Sequence, residues 1–227
     1  MYEHETAVVD FWKMNSYLEK IMPARPAELA AMEAYAEEHD FPIIGPLAGQ
    51  LCYLVARLTG ATRIFELGSG YGYSTAWFAQ AVRENVRDGH KSSAGPVVHH
   101  TVWGVEASAL AHKHMEAMGF NDLVNYHTGE AVEALTMTDG PFDIIFMDID
   151  KEGYPDAMGE IQRKLRRGGV LIVDNMLWDG RLWNMDEMDA ETRAIRKLAE
   201  MVNTGATWTP VIVPLRDGVL VARYNGE

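Results

Sequence analysis

The spacing of apolar residues changes near residue 62. Before that point apolar positions recur at helical intervals, which predicts helices over 6–20, 26–39 and 47–59. The second opens at Pro26 and is rich in Ala and Glu, and the third, LAGQLCYLVARLT, closes at Gly60. Beyond residue 62, short apolar runs alternate with amphipathic stretches. The runs predict strands at Arg63–Leu67, Val98–Val105, Leu123–His127, Asp143–Met147 and Val170–Val173. The stretches between them predict helices at Ser74–Val86, Ala109–Met118, Glu130–Leu135, Tyr154–Leu165 (stopped by Gly168-Gly169) and 190–202. Such alternation implies an α/β fold with a doubly wound, mostly parallel sheet. Two last strands, Trp208–Pro214 and Val219–Tyr224, are joined by Leu215-Arg216-Asp217-Gly218, whose Asp-Gly step predicts an antiparallel hairpin. No repeat, low-complexity tract or internal linker interrupts the pattern. One domain over 1–227 is expected, with a helical cap at 1–60 and a core at 61–227. The cap should cover a sheet edge or make a subunit contact.

The chemistry collects at strand ends. In FDIIFMDIDKEGY an apolar run stops at Asp148, and Asp150 and Lys151 follow at once. Open α/β sheets bind ligands outside the carboxyl ends of their strands. The next strand, VLIVDN, ends in Asp174 and Asn175. Adjacent strands lie roughly 5 Å apart, so three hard oxygen ligands would converge. Oxygen donors suit Mg²⁺, Mn²⁺ or Ca²⁺ and leave about three of six octahedral positions for water or substrate. A metal lowers the pKa of a hydroxyl it binds, and Lys151 could take the proton. The plainer readings are a loop start for Asp174-Asn175 and a surface lysine for Lys151. His99/His100 and His112/His114 point to different faces of their elements and offer no competing site.

Gly68-Ser69-Gly70-Tyr71-Gly72 lies between a strand and a helix, a context that lets a ligand approach backbone N–H groups. The spacing is G-x-G-x-G. Tyr73 stands where the dinucleotide fingerprint needs its third glycine, which weakens a pyrophosphate reading. Glu66 precedes the turn and would repel a phosphate, while Glu106, read as the end of the second strand, could accept ribose hydroxyls. S-adenosylmethionine has a ribose, an amino group, a sulfonium and no phosphate, so the pattern favours it over NAD.

The formal net charge of −13 argues against a general nucleic-acid binder and leaves a local basic groove open. The single cysteine, Cys52, reads as a small buried hydrophobe and can form no disulfide within the chain. No apolar run approaches the roughly 18 residues that span a bilayer. The first twenty residues lack a basic segment followed by an apolar block, so a cytoplasmic location without membrane contact is expected.

FELGSGYGYSTAWFAQ, GVEAS, FMDIDKEGY and GGVLIVDNMLWDG together resemble the cation-dependent O-methyltransferases, which include the catechol and caffeoyl-coenzyme A enzymes. The likeness runs from about Ile44 to the closing hairpin. It implies a Rossmann-like class I methyltransferase sheet. By resemblance, Asp148, Asp174 and Asn175 hold the divalent cation, and Lys151 is the general base. Glu66, the backbone of Gly68 and Ser69, and Ser74 contact the methionine part of the cofactor. Glu106 takes the ribose, Ala131 lies near the adenine, Asp150 faces the cofactor and the backbone of Ile44 closes over it. Trp178 and Asp179 wall the acceptor site. Plant members have asparagine at the place of Asp179. Ile149 and Asp150 replace a histidine and a tryptophan of the mammalian catechol enzyme, so its pocket is not copied here.

The expected reaction is methyl transfer from S-adenosylmethionine to one hydroxyl of a vicinal dihydroxy aromatic. The segment YLEKIMPARPAELAAMEAYAEEHDFPI resembles bacterial members, some of which methylate a hydroxyuridine in transfer RNA, so that substrate is the rival. A non-catalytic cofactor-binding protein and an NAD-linked oxidoreductase are the alternatives of other classes. The loop MLWDGRLWNMDEMD reads either as a lid on an apolar acceptor or as an interface or core loop, and a homodimer is expected as in bacterial relatives.

Overall fold

The computed structural model describes residues 10–226. Three helices lead: α1 (Phe11–Ile21), α2 (Ala27–His39) and α3 (Gly45–Thr59). The part of the first predicted helix before residue 10 lies outside the described residues. Asp10 caps α1 by accepting from the Lys13 N–H. Left-handed Gly60 ends α3.

The sheet strands are β1 (Arg63–Leu67), β2 (Val97–Val102), β3 (Val124–Thr128), β4 (Phe142–Met147), β5 (Leu165–Val173), β6 (Trp208–Val213) and β7 (Val219–Tyr224), in the order β3-β2-β1-β4-β5-β7-β6. The first five pair in parallel, and β7 runs antiparallel to β5 and β6. Helices α4 (Tyr73–Arg87), α5 (Val105–Ala117), α6 (Ala131–Met137), α7 (Tyr154–Lys164) and α8 (Ala190–Asn203) complete the chain. This is the doubly wound sheet with a closing antiparallel hairpin that the sequence predicts.

The central strands are buried on both faces, so each reads as an unbroken apolar run. Ile64, Ile144, Phe146 and Ile172 pack with Leu29, Met32, Cys52 and Phe78 on one side. Phe65, Ile145, Met147 and Leu171 pack with Leu135, Tyr154, Ile161 and Leu198 on the other. Cys52 is buried and free, as expected. The chain builds outward from β1 to β3 and returns to β4 beside β1, which places the switch point where Leu67 and Met147 pair.

The predicted junctions between β2 and α5 and between α7 and β5 move. Strand β2 ends at Val102, where its pairing with Thr128 stops, and extended Gly104 starts α5, so Glu106 lies in a first helical turn and not at a strand end. Helix α7 stops at Lys164, because Leu165 turns extended to bury its side chain. The Gly168-Gly169 pair lies inside β5, where the pairing with β4 shifts register.

Asp143 ties the amino ends of these strands together. It accepts from the N–H groups of Thr62 (2.7 Å) and Arg63 (2.9 Å) and from Arg166 Nε (2.6 Å). Burial opposes its charge, but these donors outweigh burial and hold its pKa below the ordinary value. Its contribution to stability is present above the unfolded carboxylate pKa and is lost as pH falls through the lower folded one. Asp143→Ala leaves a guanidinium and two N–H groups unpaired and should cost roughly 2–4 kcal/mol, read by urea denaturation at pH 7. An unchanged midpoint would refute this role.

Candidate active site

A cavity of about 610 Å³ opens at the switch point. Its first wall is the turn between β1 and α4. Gly68 has φ +85°, and a Cβ there would lie 2.3 Å from the Asp148 carbonyl oxygen, so only glycine lets β1 and β4 end this close together. The N–H groups of Gly68 and Ser69 are bonded within the protein. They donate to Thr101 Oγ1 (2.9 Å) and the Thr101 carbonyl (2.8 Å). Helix α4 has no side-chain cap, so the N–H groups of its first turn, at Tyr73 to Thr75, are the donors left open to an anion.

Glu66 lies beneath this turn, fully buried. It accepts from the Thr75 hydroxyl (2.5 Å), which also meets His100 Nδ1 (3.0 Å). Its Oε1 has no partner among the described residues. Burial raises its pKa to about 7, against the opposing effect of the hydroxyls of Ser74, Thr75 and Ser69. Between the ordinary value of 4.5 and about 7 the folded protein therefore binds more protons than the unfolded chain, and stability falls as pH rises through that window. Glu66→Gln keeps the shape and removes the charge. The ligand-free variant should be more stable than the parent by about 3 kcal/mol at pH 8, with the difference vanishing below pH 4. Thermal melts at both pH values check this, and equal melts at pH 8 would overturn it.

The second wall comes from β4 and β5. Lys151 Nζ donates to Asp148 Oδ1 (2.8 Å) and to the Ile149 carbonyl (3.2 Å). It also stands 5.1 Å from the centre of the Tyr154 ring. The hydroxyl of Tyr154 donates to the Asp174 carbonyl (3.1 Å), so one buried residue braces both strand ends. Asp174 is 1 % exposed. Its Oδ2 accepts from Arg216 Nη1 (2.8 Å), and its Oδ1 is buried without a partner among the described residues. Burial, then the nearby Asp148 charge, raises its pKa, against the pull of Arg216. Asn175 takes the left-handed conformation and donates its Nδ2 to Asp217 Oδ2 (3.1 Å), which leaves its Oδ1 unbonded among the described residues.

These donors fit a hard divalent cation. The orphaned Asp174 oxygen, the Asn175 amide oxygen and Asp148 would offer oxygen donors from neighbouring strand ends. Among the described residues no group of three or more His, Cys, Asp and Glu could hold a metal. The set here is of another kind, two carboxylates and an amide. The histidines go elsewhere: His99 and His127 pair at 2.9 Å, and His114 pairs with Glu28 at 2.7 Å.

The structure brings most of the predicted residues together. Ile44, Gly68, Ser69, Ser74 and Ala131 line the cavity on the glycine side, and Asp148, Asp150, Lys151, Asn175 and Trp178 line it on the other. Glu66 and Asp174 are buried and are not part of its lining. Two more residues lie outside it. Glu106 is exposed on α5, and the cavity edge at the end of β2 is formed instead by Val102 and Trp103, the latter 72 % exposed. Asp179 is also exposed, because left-handed Trp178 and Asp179 turn the chain outward. It donates its N–H to Asp217 Oδ1 and does not wall the cavity. Of the 176–189 loop, Trp178 reaches the cavity, while Trp183, Met185 and Met188 stand in solvent.

The sequence marks Arg216 and Asp217 only as turn residues. Because β7 is antiparallel to β5, the loop before β7 lands at the carboxyl end of β5. There Met176 and Leu177 donate to the Gly218 and Asp217 carbonyls. The hairpin signal alone does not bring the two residues to the cavity; that takes the identity of the strand beside β7.

Comparison with known proteins gives the family and the fold. The O-methyltransferase family model matches residues 27–225. A Mycolicibacterium smegmatis protein that carries the name O-methyltransferase is 31% identical over 203 residues, covering 86% of this chain and 90% of its own length. A similarly named Mycobacterium tuberculosis protein is 33% identical over 195 residues, covering 86% and 83%. Among solved structures, the O-methyltransferase TomG of Streptomyces achromogenes, involved in tomaymycin synthesis and crystallised with S-adenosylmethionine, superposes with TM-score 0.80 at 25% identity, over 94% of this chain and 96% of its own. The Bacillus cereus O-methyltransferase has the same fold, with TM-score 0.80 at 24% identity over 93% and 97% of the two chains. With a matching family model over most of its length and relatives above 30% identity, this chain belongs to the O-methyltransferase family.

Proposed function

We propose that this enzyme transfers the methyl group of S-adenosylmethionine to one oxygen of a small vicinal dihydroxy aromatic, with a divalent cation held by Asp148, Asp174 and Asn175. The observation that carries the proposal is that Asp148, Asn175 and Lys151 line one cavity with the glycine turn, while buried Asp174, next to Asn175, keeps one oxygen without a partner among the described residues. The volume suits a cofactor and a small acceptor together. The cofactor assignment draws on TomG, which binds S-adenosylmethionine, and on a turn whose buried acid disfavours phosphate.

In this reading the open N–H groups of α4 and the Ser74 hydroxyl hold the cofactor's carboxylate, and Glu66 faces its cationic part. Ala131 borders the base, and Trp178 packs on the acceptor ring. A bound divalent cation supplies Lewis-acid polarisation of the acceptor's hydroxyls. Lys151 accepts the proton of one of them. That oxygen attacks the methyl carbon in line, the carbon–sulfur bond breaks, and the sulfonium leaves as a neutral thioether.

The test is methyl incorporation from labelled S-adenosylmethionine into catechols, phenolic acids and transfer RNA, with and without Mg²⁺. Labelled catechols, dependent on the metal, are expected. Label in transfer RNA alone, with salt-sensitive binding, would replace the acceptor with the nucleic acid. Cofactor binding without turnover on the whole panel would leave a binding protein.

A further inference from the structure

Arg216 sits in the hairpin loop with φ 52°, a left-handed conformation that a non-glycine residue adopts at a cost. Its backbone N–H donates to Asn15 Oδ1 on α1 (2.9 Å), so a distant helix fixes it there. Its side chain passes Gly45 and ends on Asp174. We propose that Arg216 selects the acceptor: one edge of its guanidinium is anchored on Asp174, and the other edge binds the carboxylate of an acidic vicinal diol. This rests on the methyl-transfer reading above and names its substrate class.

The argument starts from donors. A guanidinium has five N–H bonds in a planar fork. Nη1 is held by Asp174 Oδ2, while Nε and Nη2 make no hydrogen bond among the described residues. The side chain is 32 % exposed and lines the cavity beside Asn175 and Trp178. An anchored fork with an unoccupied edge is the geometry that takes a carboxylate through two parallel bonds. The other basic residue of this wall, Lys151, is already engaged with Asp148 and the Ile149 carbonyl.

Position decides which carboxylate. The anchor, Asp174, follows β5, and β4 separates β5 from β1 and its glycine turn. Two strand spacings are about 10 Å, so the guanidinium serves the acceptor side and not the cofactor's own carboxylate. Charge points the same way. With a net charge of −13, the protein repels an anionic acceptor at long range, and a fixed local cation offsets that repulsion where the acceptor docks.

The experiment compares kcat/KM for 3,4-dihydroxybenzoate, catechol and dopamine, with S-adenosylmethionine and Mg²⁺, in the parent, Arg216→Lys and Arg216→Gln. The parent should favour the acid over catechol at least tenfold. The ratio should fall to near one in Arg216→Gln, through a higher KM for the acid, and to an intermediate value in Arg216→Lys, with cofactor affinity unchanged. An unchanged ratio in Arg216→Gln, or a parent that prefers dopamine, overturns the proposal. So does an equal loss of kcat on all three acceptors, which would make Arg216 a prop for Asp174. A higher Kd for S-adenosylmethionine alone would assign the guanidinium to the cofactor. Should the parent turn over none of the three, the methyl-transfer reading fails separately. Calorimetric titration then decides Arg216: dihydroxybenzoate should bind the parent at least tenfold tighter than catechol and lose that margin in Arg216→Gln. Equal binding, or none, rejects it.

Discussion

Removal of divalent cations will abolish methyl transfer to a catechol. After exhaustive treatment with EDTA the rate should fall by about a thousandfold, since Lewis-acid stabilisation is worth several kcal/mol, and Mg²⁺ or Mn²⁺ should restore it. The structure gives the reason. Asp174 carries a buried oxygen with no partner among the described residues, and Asp148 brings a second carboxylate beside it. Each carboxylate has one cationic side chain beside it, Lys151 on Asp148 and Arg216 on Asp174, which leaves the second Asp174 oxygen for a divalent ion. The Asn175 amide nitrogen is held by Asp217, which leaves its oxygen as the third donor. A rate unchanged by EDTA would remove the cation from the mechanism. A Mn²⁺ titration followed by electron paramagnetic resonance gives a readout independent of turnover, and Asp174→Asn should weaken that binding at least tenfold.

The second large effect is at Lys151. Lys151→Met should lower kcat by about a hundredfold to ten-thousandfold, the usual range for a general base, while the Kd for S-adenosylmethionine stays within about twofold. The residue is held between Asp148, the Ile149 carbonyl and the Tyr154 ring, so its amine is placed by three neighbours and not by a flexible tether. The change also frees Asp148, and the Mn²⁺ titration separates that effect from proton transfer: kcat should fall even where the metal site is saturated. Rates of the variant should recover in part on addition of small amines. A turnover equal to the parent's would reject Lys151 as the base.

Much of this site is legible in the amino-acid sequence. Asp148, Lys151, Asp174 and Asn175 are readable because a buried parallel strand is an apolar run, and its first polar residue must lie at the sheet's carboxyl edge. Gly68 is readable because a strand-to-helix turn with close neighbours needs glycine, and the Asp148 carbonyl is that neighbour. Glu106 is misplaced by the sequence for a local reason. In the run VVHHTVWGVE the first carboxylate is Glu106, four residues past the point where pairing stops, and it is β3, a distant segment, that ends the strand at Val102. The Gly168-Gly169 pair is ambiguous in a similar way. Glycine permits both a helix stop and a bulge, and the burial of Leu165 chooses between them.

The amino-acid sequence by itself therefore determined the alternation of strands and helices, the antiparallel close and the residues at the ends of β1, β4 and β5, because each follows from periodicity within one short segment. Tertiary structure alone decided what meets what. Asn15 holding Arg216, Arg216 pairing with Asp174, Asp217 orienting Asn175 and Tyr154 bracing two strands join residues far apart in the chain. Such contacts leave no periodic trace, since they depend on strand order and on which loop the antiparallel hairpin delivers to the mouth of the cavity.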